Sequence, residues 1–461
     1  MPGEMQRGWT GAALEVLESA WRRSARYLGE LPQRAVAPSP AALAALRRLD
    51  APLPADGHAP ADTLALLDEL VSPATMAMVG PRFFGFVTGG SLPAALAANW
   101  LAGSWDQNAA FYSATPGVAH LEQVALRWLL ELLDLPRESG AGFVTGATLA
   151  NFTALAAARH AVLARAGWNV EADGLFGAPP ITVIAGAEAH PSVLKALGML
   201  GLGRARIVRV PVDAQGRMRA EALPAIAGPS IVCVQAGNVN TGACDPLAQL
   251  VPQARASGAW VHVDGAFGLW ARVSPRHRAL TLGIEQADSW ATDAHKWLNV
   301  PYDSGVALVR DPGALTAAMA VSADYLPAAA GSERAPCDYT PELSRRARGI
   351  EIWAALHSLG QRGMVELVER NCAQAREFAV RLAAAGYQVL NHVVLNQVLV
   401  SFGDAARTRA VVAALQREGT CWCGVTLWQG HTAMRISVSN WSTQDEDVER
   451  SIAAMLQAAA G

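Results

Sequence analysis

The chain has 461 residues, with 37 Lys and Arg against 40 Asp and Glu, a net charge of −3 at neutral pH. It is long enough for one large core with smaller appendages, and its charge balance lacks the basic footprint that binding nucleic acid or an anionic membrane needs. The first residues carry no signal-peptide core and no window of 18 or more apolar residues reads as a membrane span, so a cytoplasmic protein with neither nucleic-acid nor membrane partners is expected.

Residues 10–29 place Leu14, Leu17, Trp21 and Leu28 at helical spacing, which predicts an amphipathic helix in need of a partner. The Pro- and Ala-rich stretch that follows reads as short helices joined by turns, and residues 1–80 together form an N-terminal helical arm. Between 81 and 136 the aromatic residues Phe83, Phe84, Trp105 and Phe111 are interleaved with glycines and amides, a pattern that suits a pocket wall as well as a core.

From 142 onward, short apolar runs alternate with helical stretches. Seven strands are predicted at 142–145, 181–185, 206–212, 230–235, 260–263, 289–292 and 305–309, an α/β fold with a mostly parallel sheet covered by helices on both faces. The stretch 322–344 lacks periodicity and reads as a loop, with a helix starting near Pro341. Helices over 349–360 and 365–385, strands at 388–390, 397–401 and 434–437, and a helix over 444–459 complete the chain. This divides it into the arm (1–80), a large domain (81–345) and a small C-terminal α+β domain (346–461). The six cysteines lack the spacing of a zinc site, and no metal is expected; Cys421 and Cys423 would share one strand face as small buried hydrophobes.

Four strand ends carry candidate chemistry. The turn Gly146-Ala147-Thr148 opens a helix whose unpaired N–H groups favour a phosphate, although an ordinary strand-to-helix turn has the same composition. His190 precedes Pro191 at a second strand end, where a structural histidine is the simpler reading. Asp264 ends a third strand, followed by Gly265 and Ala266, small residues that admit a flat group; it could pair with a cationic ring nitrogen or cap a helix. Lys296, walled by Trp297, Leu298 and Val300, either extends its charge to solvent or is desolvated into a nucleophile. Together, a phosphate cradle, a flat ring partner, an acid for a ring nitrogen and a Schiff-base lysine describe a pyridoxal 5'-phosphate site.

The segments Phe83-Phe84-Gly85, Ser91-Leu92-Pro93, Gly146-Ala147-Thr148, Ala189-His190, 237–245, His262-Val263-Asp264, His295-Lys296-Trp297 and Cys337-Asp338-Tyr339 leading into Arg345-Arg346 resemble the group II pyridoxal-phosphate-dependent amino acid decarboxylases of fold type I, which include the aromatic-L-amino-acid decarboxylases. The resemblance runs from about residue 75 to the C-terminus. It implies that Lys296 carries the cofactor, Asp264 pairs with the pyridine nitrogen, His190 stacks on the ring, Ala147 and Thr148 bind the phosphate, and Asn238 and His295 lie beside it. It also implies a homodimer with shared active sites, and a loop tyrosine, here Tyr339, that assists protonation after decarboxylation. The chain departs from many members of the family at Ala147 and Leu149, where a serine and a glutamate are common. It has Asp293 at a position that varies between Asn and Asp, which sets a carboxylate near Lys296.

The expected reaction is decarboxylation of an L-amino acid. Phe83, Phe84, Trp105 and Phe111 suggest an aromatic or bulky apolar substrate, whereas Asp106 and Gln107 could read a polar one. An aminotransferase or carbon–sulfur lyase would share the cofactor site, with Arg435 holding a carboxylate. The resemblance also implies that a chain keeping His190 and Tyr339 carries out simple decarboxylation and not oxidative aldehyde synthesis.

Overall fold

The computed structural model describes residues 9, 11–321 and 333–461. Residues 322–332 of the predicted loop lie outside them. The apolar runs after residue 139 form a seven-stranded sheet in the order β1-β7-β6-β5-β4-β2-β3. Its strands are β1 (Gly140–Val144), β2 (Thr182–Gly186), β3 (Val208–Val210), β4 (Ser230–Gln235), β5 (Trp260–Asp264), β6 (Ser289–Asp293) and β7 (Gly305–Val309). The strands from β3 to β6 pair in parallel, and β7 runs antiparallel between β6 and β1. Every residue of β1, β5, β6 and β7 is buried, as strands covered on both faces require. Helix Ala147–Ala164 packs over β6 and β7, with eleven buried residues including six alanines whose small side chains let it lie close to the sheet.

Because β1 is a sheet edge, its outer carbonyls need partners. Arg334 donates to Ala141 O, and Arg345 to Phe143 O at 2.8 Å and Ala109 O at 3.0 Å. Arg345 and Glu122 form a fully buried ion pair at 2.8 Å. A Cβ on Gly142 would meet Tyr339 O at 2.2 Å, so the segment carrying Tyr339 lies directly on this edge.

The predicted helices over 349–360 and 365–385 are one run, Gly349–Ala384, broken at Gly360, where φ is 59°. The helix expected near Pro341 begins at Gly349 instead, preceded by a short 3-10 turn, Pro336–Tyr339. A second sheet, β10-β11-β9-β8, follows: β8 (Gln388–Val389), β9 (Gln397–Ser401), β10 (Gly424–Trp428) and β11 (His431–Ser437). The segment after residue 80 leans on it: Phe84 N donates to Trp422 O at 2.8 Å, and Ser437 N to Phe84 O at 3.0 Å. Cys421 and Cys423 are both fully buried in the core of this lobe.

At the N-terminus, helix Gly11–Glu30 buries none of its residues and leaves Leu14, Leu17 and Trp21 about half exposed, although Arg23 and Arg26 tie it to Asp68 at 2.6 and 2.5 Å.

Candidate active site

Lys296 sits in the turn that leaves β6. His295 N donates to Ser304 O at 3.2 Å, and Trp297 is sealed in the core with its indole N–H on Asn371 Oδ1 at 3.0 Å. Asn299 adopts a left-handed conformation (φ 56°). Its amide accepts from Gly90 N (2.6 Å) and Trp441 N (2.9 Å) and donates to Trp297 O (2.8 Å) and Ser439 O (2.9 Å). This one side chain ties the lysine turn to the 89–90 segment and to the C-terminal lobe. Gly89 lies so close that a Cβ there would stand 1.8 Å from Lys296 O.

The Lys296 ammonium, 17% exposed, pairs with Asp293 Oδ2 at 2.8 Å. Burial alone would lower the pKa of Lys296, but the Asp293 carboxylate outweighs it and holds the lysine above its ordinary value. The other oxygen of Asp293 accepts the Ala147 N–H at 2.6 Å and lies 3.3 Å from His295 Nε2. Asp293 therefore joins the predicted phosphate turn to the predicted Schiff-base lysine, with its own carboxylate on the helix N-terminus where an anion belongs. Gly146 keeps this turn open: a Cβ there would come within 3.0 Å of His295 Cε1. Thr148 follows, half-buried.

The His295 ring stacks on Tyr302 at 4.1 Å and accepts from Ser304 N at 3.1 Å. Burial lowers the pKa of His295, against an opposing pull from Asp293.

Asp264 ends β5, 4% exposed, and accepts from Ala266 N at 3.2 Å and from Asn151 Nδ2 at 3.5 Å. His190 caps helix Pro191–Met199: its Nδ1 faces Ser192 N at 3.2 Å and Ser192 Oγ at 2.8 Å. Burial lowers the pKa of His190; Asp264 acts against that, and Lys296 and Arg435 reinforce it, so the imidazole is neutral at pH 7 with these charges around it. The four strand ends thus bring Ala147, His190, Asp264, Ala266, His295 and Lys296 to one edge of the sheet, the C-terminal edge of its parallel strands.

Other predicted residues lie elsewhere. Asn238 is buried, its oxygen accepting from Asn240 N and Thr241 N and its amide donating to Glu188 Oε2 at 3.0 Å, so it pins the 237–245 turn to the residue two before His190. Phe83 stacks with Trp422 (5.1 Å) and Phe84 packs edge-on to Phe378 (5.1 Å), both buried; it is Phe86, also stacked on Trp422 (5.3 Å), that reaches solvent. Trp105 lines an apolar groove of about 570 Å³ with Leu101, Val118, Leu121, Ile350 and Trp353. Phe111 lies half-buried beside Ala109 and Ala110, which hydrogen-bond to Arg345 O and Cys337 N. Tyr339 packs beneath the Arg334 guanidinium, 3.7 Å from ring centroid to Cζ, on the β1 edge.

Sequence reasoning missed Asn151, Ser192, His262 and Asn299. Two of these had a readable signal: Asn151 stands one helical turn after Ala147, and His262 alternates with Asp264 on β5, so each shares a face with a predicted site residue.

These side chains fit pyridoxal phosphate: an amine, an acid for a ring nitrogen, an imidazole and a helix N-terminus already holding an anionic oxygen. Residues 45–403 match the model of the pyridoxal-dependent decarboxylase conserved domain, and the chain belongs to that family. It is a pyridoxal-phosphate-dependent amino acid decarboxylase of fold type I. It is 29% identical to tryptophan decarboxylase 1 of Oryza sativa over 428 residues, 84% of this chain and 82% of that one. It is 30% identical to L-2,4-diaminobutyrate decarboxylase of Rhizobium meliloti over 376 residues, 77% and 73% of the two chains. Among solved structures, Oryza sativa TDC with PLP and tryptamine superposes with a TM-score of 0.91, covering 99% of both chains at 23% identity.

Proposed function

We propose that the chain decarboxylates an aromatic or bulky apolar L-amino acid to its amine, as a cytoplasmic homodimer. The observation that carries the site assignment is the junction at Asp293, which contacts both Lys296 and the Ala147 N–H, with Asp264 and His190 at the neighbouring strand ends. When bound, pyridoxal phosphate supplies an electron-withdrawing ring that takes up the electron pair left at Cα as carbon dioxide departs. Lys296 would offer the amine that holds the cofactor's aldehyde carbon. Asp264 holds a proton at the ring nitrogen, with Ala266 leaving room for the ring. His190 covers a ring face and excludes water. Ala147 and Thr148 would hold the phosphate, and Asn238 and His295 would lie beside the cofactor, Asn238 bracing the 237–245 turn.

Tyr339 would deliver the proton that replaces the carboxylate at Cα, in the partner's site as the resemblance implies; in its own chain it sits on the β1 edge beneath Arg334. The half-exposed apolar stripe of helix Gly11–Glu30 and the Trp105 groove support a second copy as their cover. A reducing compartment suits cysteines that are unpaired and buried, and no helix among the described residues is long and apolar enough to cross a membrane. The two separate sheets support a large domain over 81–345 and a small domain over 346–461, with 1–80 as a helical arm. Relatives that act on tryptophan and other aromatic amino acids support the substrate class.

The test is a screen of the proteinogenic amino acids for carbon dioxide release, with keto-acid formation measured in parallel. Preference for tryptophan, tyrosine or phenylalanine is expected, with no keto acid; preference for a small or acidic substrate sinks the substrate class. Lys296→Ala is expected to lose turnover and the cofactor's visible band. Tyr339→Phe is expected to slow turnover with cofactor retained, and full activity in it removes that role.

A further inference from the structure

Trp260, His262 and Asp264 occupy alternate positions of β5 and share one face, and the strand register sets Ser289 of β6 beside His262. Behind the cofactor edge these residues form a hydrogen-bonded chain whose direction follows from its ends. An indole N–H can only donate, so Ser289 Oγ accepts from Trp260 Nε1 at 2.8 Å, and the hydroxyl hydrogen of Ser289 has His262 Nδ1 as its acceptor at 2.9 Å. The His262 proton is then on Nε2, which donates to Asn151 Oδ1 at 2.9 Å. That fixes the Asn151 carboxamide with its Nδ2 toward Ser192 Oγ (3.1 Å) and Asp264 Oδ2 (3.5 Å). Ser192 in turn gives its hydroxyl hydrogen to His190 Nδ1, which leaves the His190 proton on Nε2.

The reverse direction fails on charge. With its proton on Nδ1, His262 would need Asn151 Nδ2 as its donor, which turns the Asn151 carbonyl oxygen onto the Asp264 carboxylate and strands the Ser289 hydrogen. His262, Asn151 and Ser289 are each 0% exposed, so water cannot repair either fault. Burial pushes the His262 imidazole down to about 3, so it is neutral and has one proton to place.

We propose that His262 is a positioning residue for the decarboxylase: through Asn151 it keeps an N–H donor, and not a carbonyl oxygen, turned toward Asp264, and it thereby supports the carboxylate that faces the ring nitrogen. This rests on Asp264 being that partner. Equilibrium binding of pyridoxal phosphate to the full-length apoenzyme, read from the visible band, separates the two ideas. His262→Leu is expected to weaken the cofactor about tenfold or more, whereas His262→Gln, whose carboxamide can place an N–H where Nε2 stood, stays within about threefold of wild type. Equal affinities in both variants, or equal losses, overturn the role of His262. If Asp264→Asn binds cofactor like wild type, the reading of Asp264 fails first, and this proposal with it. Should His262→Leu not fold, the wild-type holoenzyme answers the question: in ¹⁵N-histidine spectra, with the His262 signal assigned by its loss in His262→Gln, the proton is expected on Nε2 from about pH 5 to about pH 9. A proton on Nδ1 overturns the proposal.

Discussion

Asp293→Asn tests the electrostatics of the lysine turn most directly. Asp293 touches Lys296 Nζ at 2.8 Å while 3% exposed, and a unit-charge pair at that distance is worth about 6 kcal/mol gross at an effective dielectric of about 20. Desolvation of both ions takes back much of this, and what remains holds the Lys296 pKa above its ordinary value; beside an amide that support is gone and burial alone would lower it. A raised pKa keeps the lysine as ammonium, and only the free amine attacks an aldehyde carbon. The carboxamide oxygen of the variant would still accept the Ala147 N–H, so the turn survives, while the negative charge that competes with a phosphate for that donor is gone. Both effects favour the cofactor.

The assay is stopped-flow growth of the visible band after apoenzyme is mixed with pyridoxal phosphate, from about pH 6 to about pH 9. The pH profile of capture in Asp293→Asn is expected to move to lower pH, with tighter equilibrium binding. An unmoved profile, or slower capture at every pH, would refute the reasoning.

Gly89→Ala adds one methyl group and removes no functional group, yet its Cβ would overlap Lys296 O, so cofactor affinity is expected to collapse; wild-type affinity would show that the 89–90 segment yields freely. His262, pushed from an ordinary 6.5 to about 3, contributes stability that is complete above pH 6.5 and is lost as pH falls, about 2 kcal/mol by pH 5. Urea midpoints at pH 5 and 7.5 should therefore differ less in His262→Gln than in wild type, and an equal difference would remove His262 from the acid limb. Arg345→Met leaves Glu122 buried without its cation and is expected to cost about 3–5 kcal/mol in urea unfolding, with part recovered by adding Glu122→Gln; a cost under about 1 kcal/mol would show that the pair is dispensable.

The large sheet was legible because most of its strands are short apolar runs bounded by turn residues, and burial on both faces produces that pattern; β3 carries Arg209 and is exposed at two of its three positions. β10 was not. It alternates half-buried with exposed residues, Gly424, Val425, Thr426 and Leu427, and its hairpin turns through Gln429 and Gly430, both at positive φ, without the Asn-Gly pair that marks such turns. The interruption at Gly360 was legible, since glycine inside an apolar helical repeat is a warning in itself. The fate of the aromatic residues was not, because stacking on Trp422 depends on a segment more than 300 residues away.

The site shows the same division. Residues at strand ends can be found from sequence because topology collects them at one edge, and Ala147, His190, Asp264 and Lys296 needed no distances. What sequence does not give is the direction of the polar chain behind them. Trp260, His262, Asn151 and Ser192 are unremarkable one at a time, and the pattern they form depends on register between β5 and β6 and on the face that helix Ala147–Ala164 turns to the sheet. Asp293 sits between the two cases: its nearness to Lys296 follows from a spacing of three residues, whereas its bond to Ala147 spans 146. The second contact gives Asp293 its consequence. A carboxylate that only paired with Lys296 would shift one pKa, but on the proposed assignment of Ala147 to the phosphate, one that also occupies the helix N-terminus would give up that donor to it, and cofactor loading and lysine deprotonation would be coupled through a single side chain.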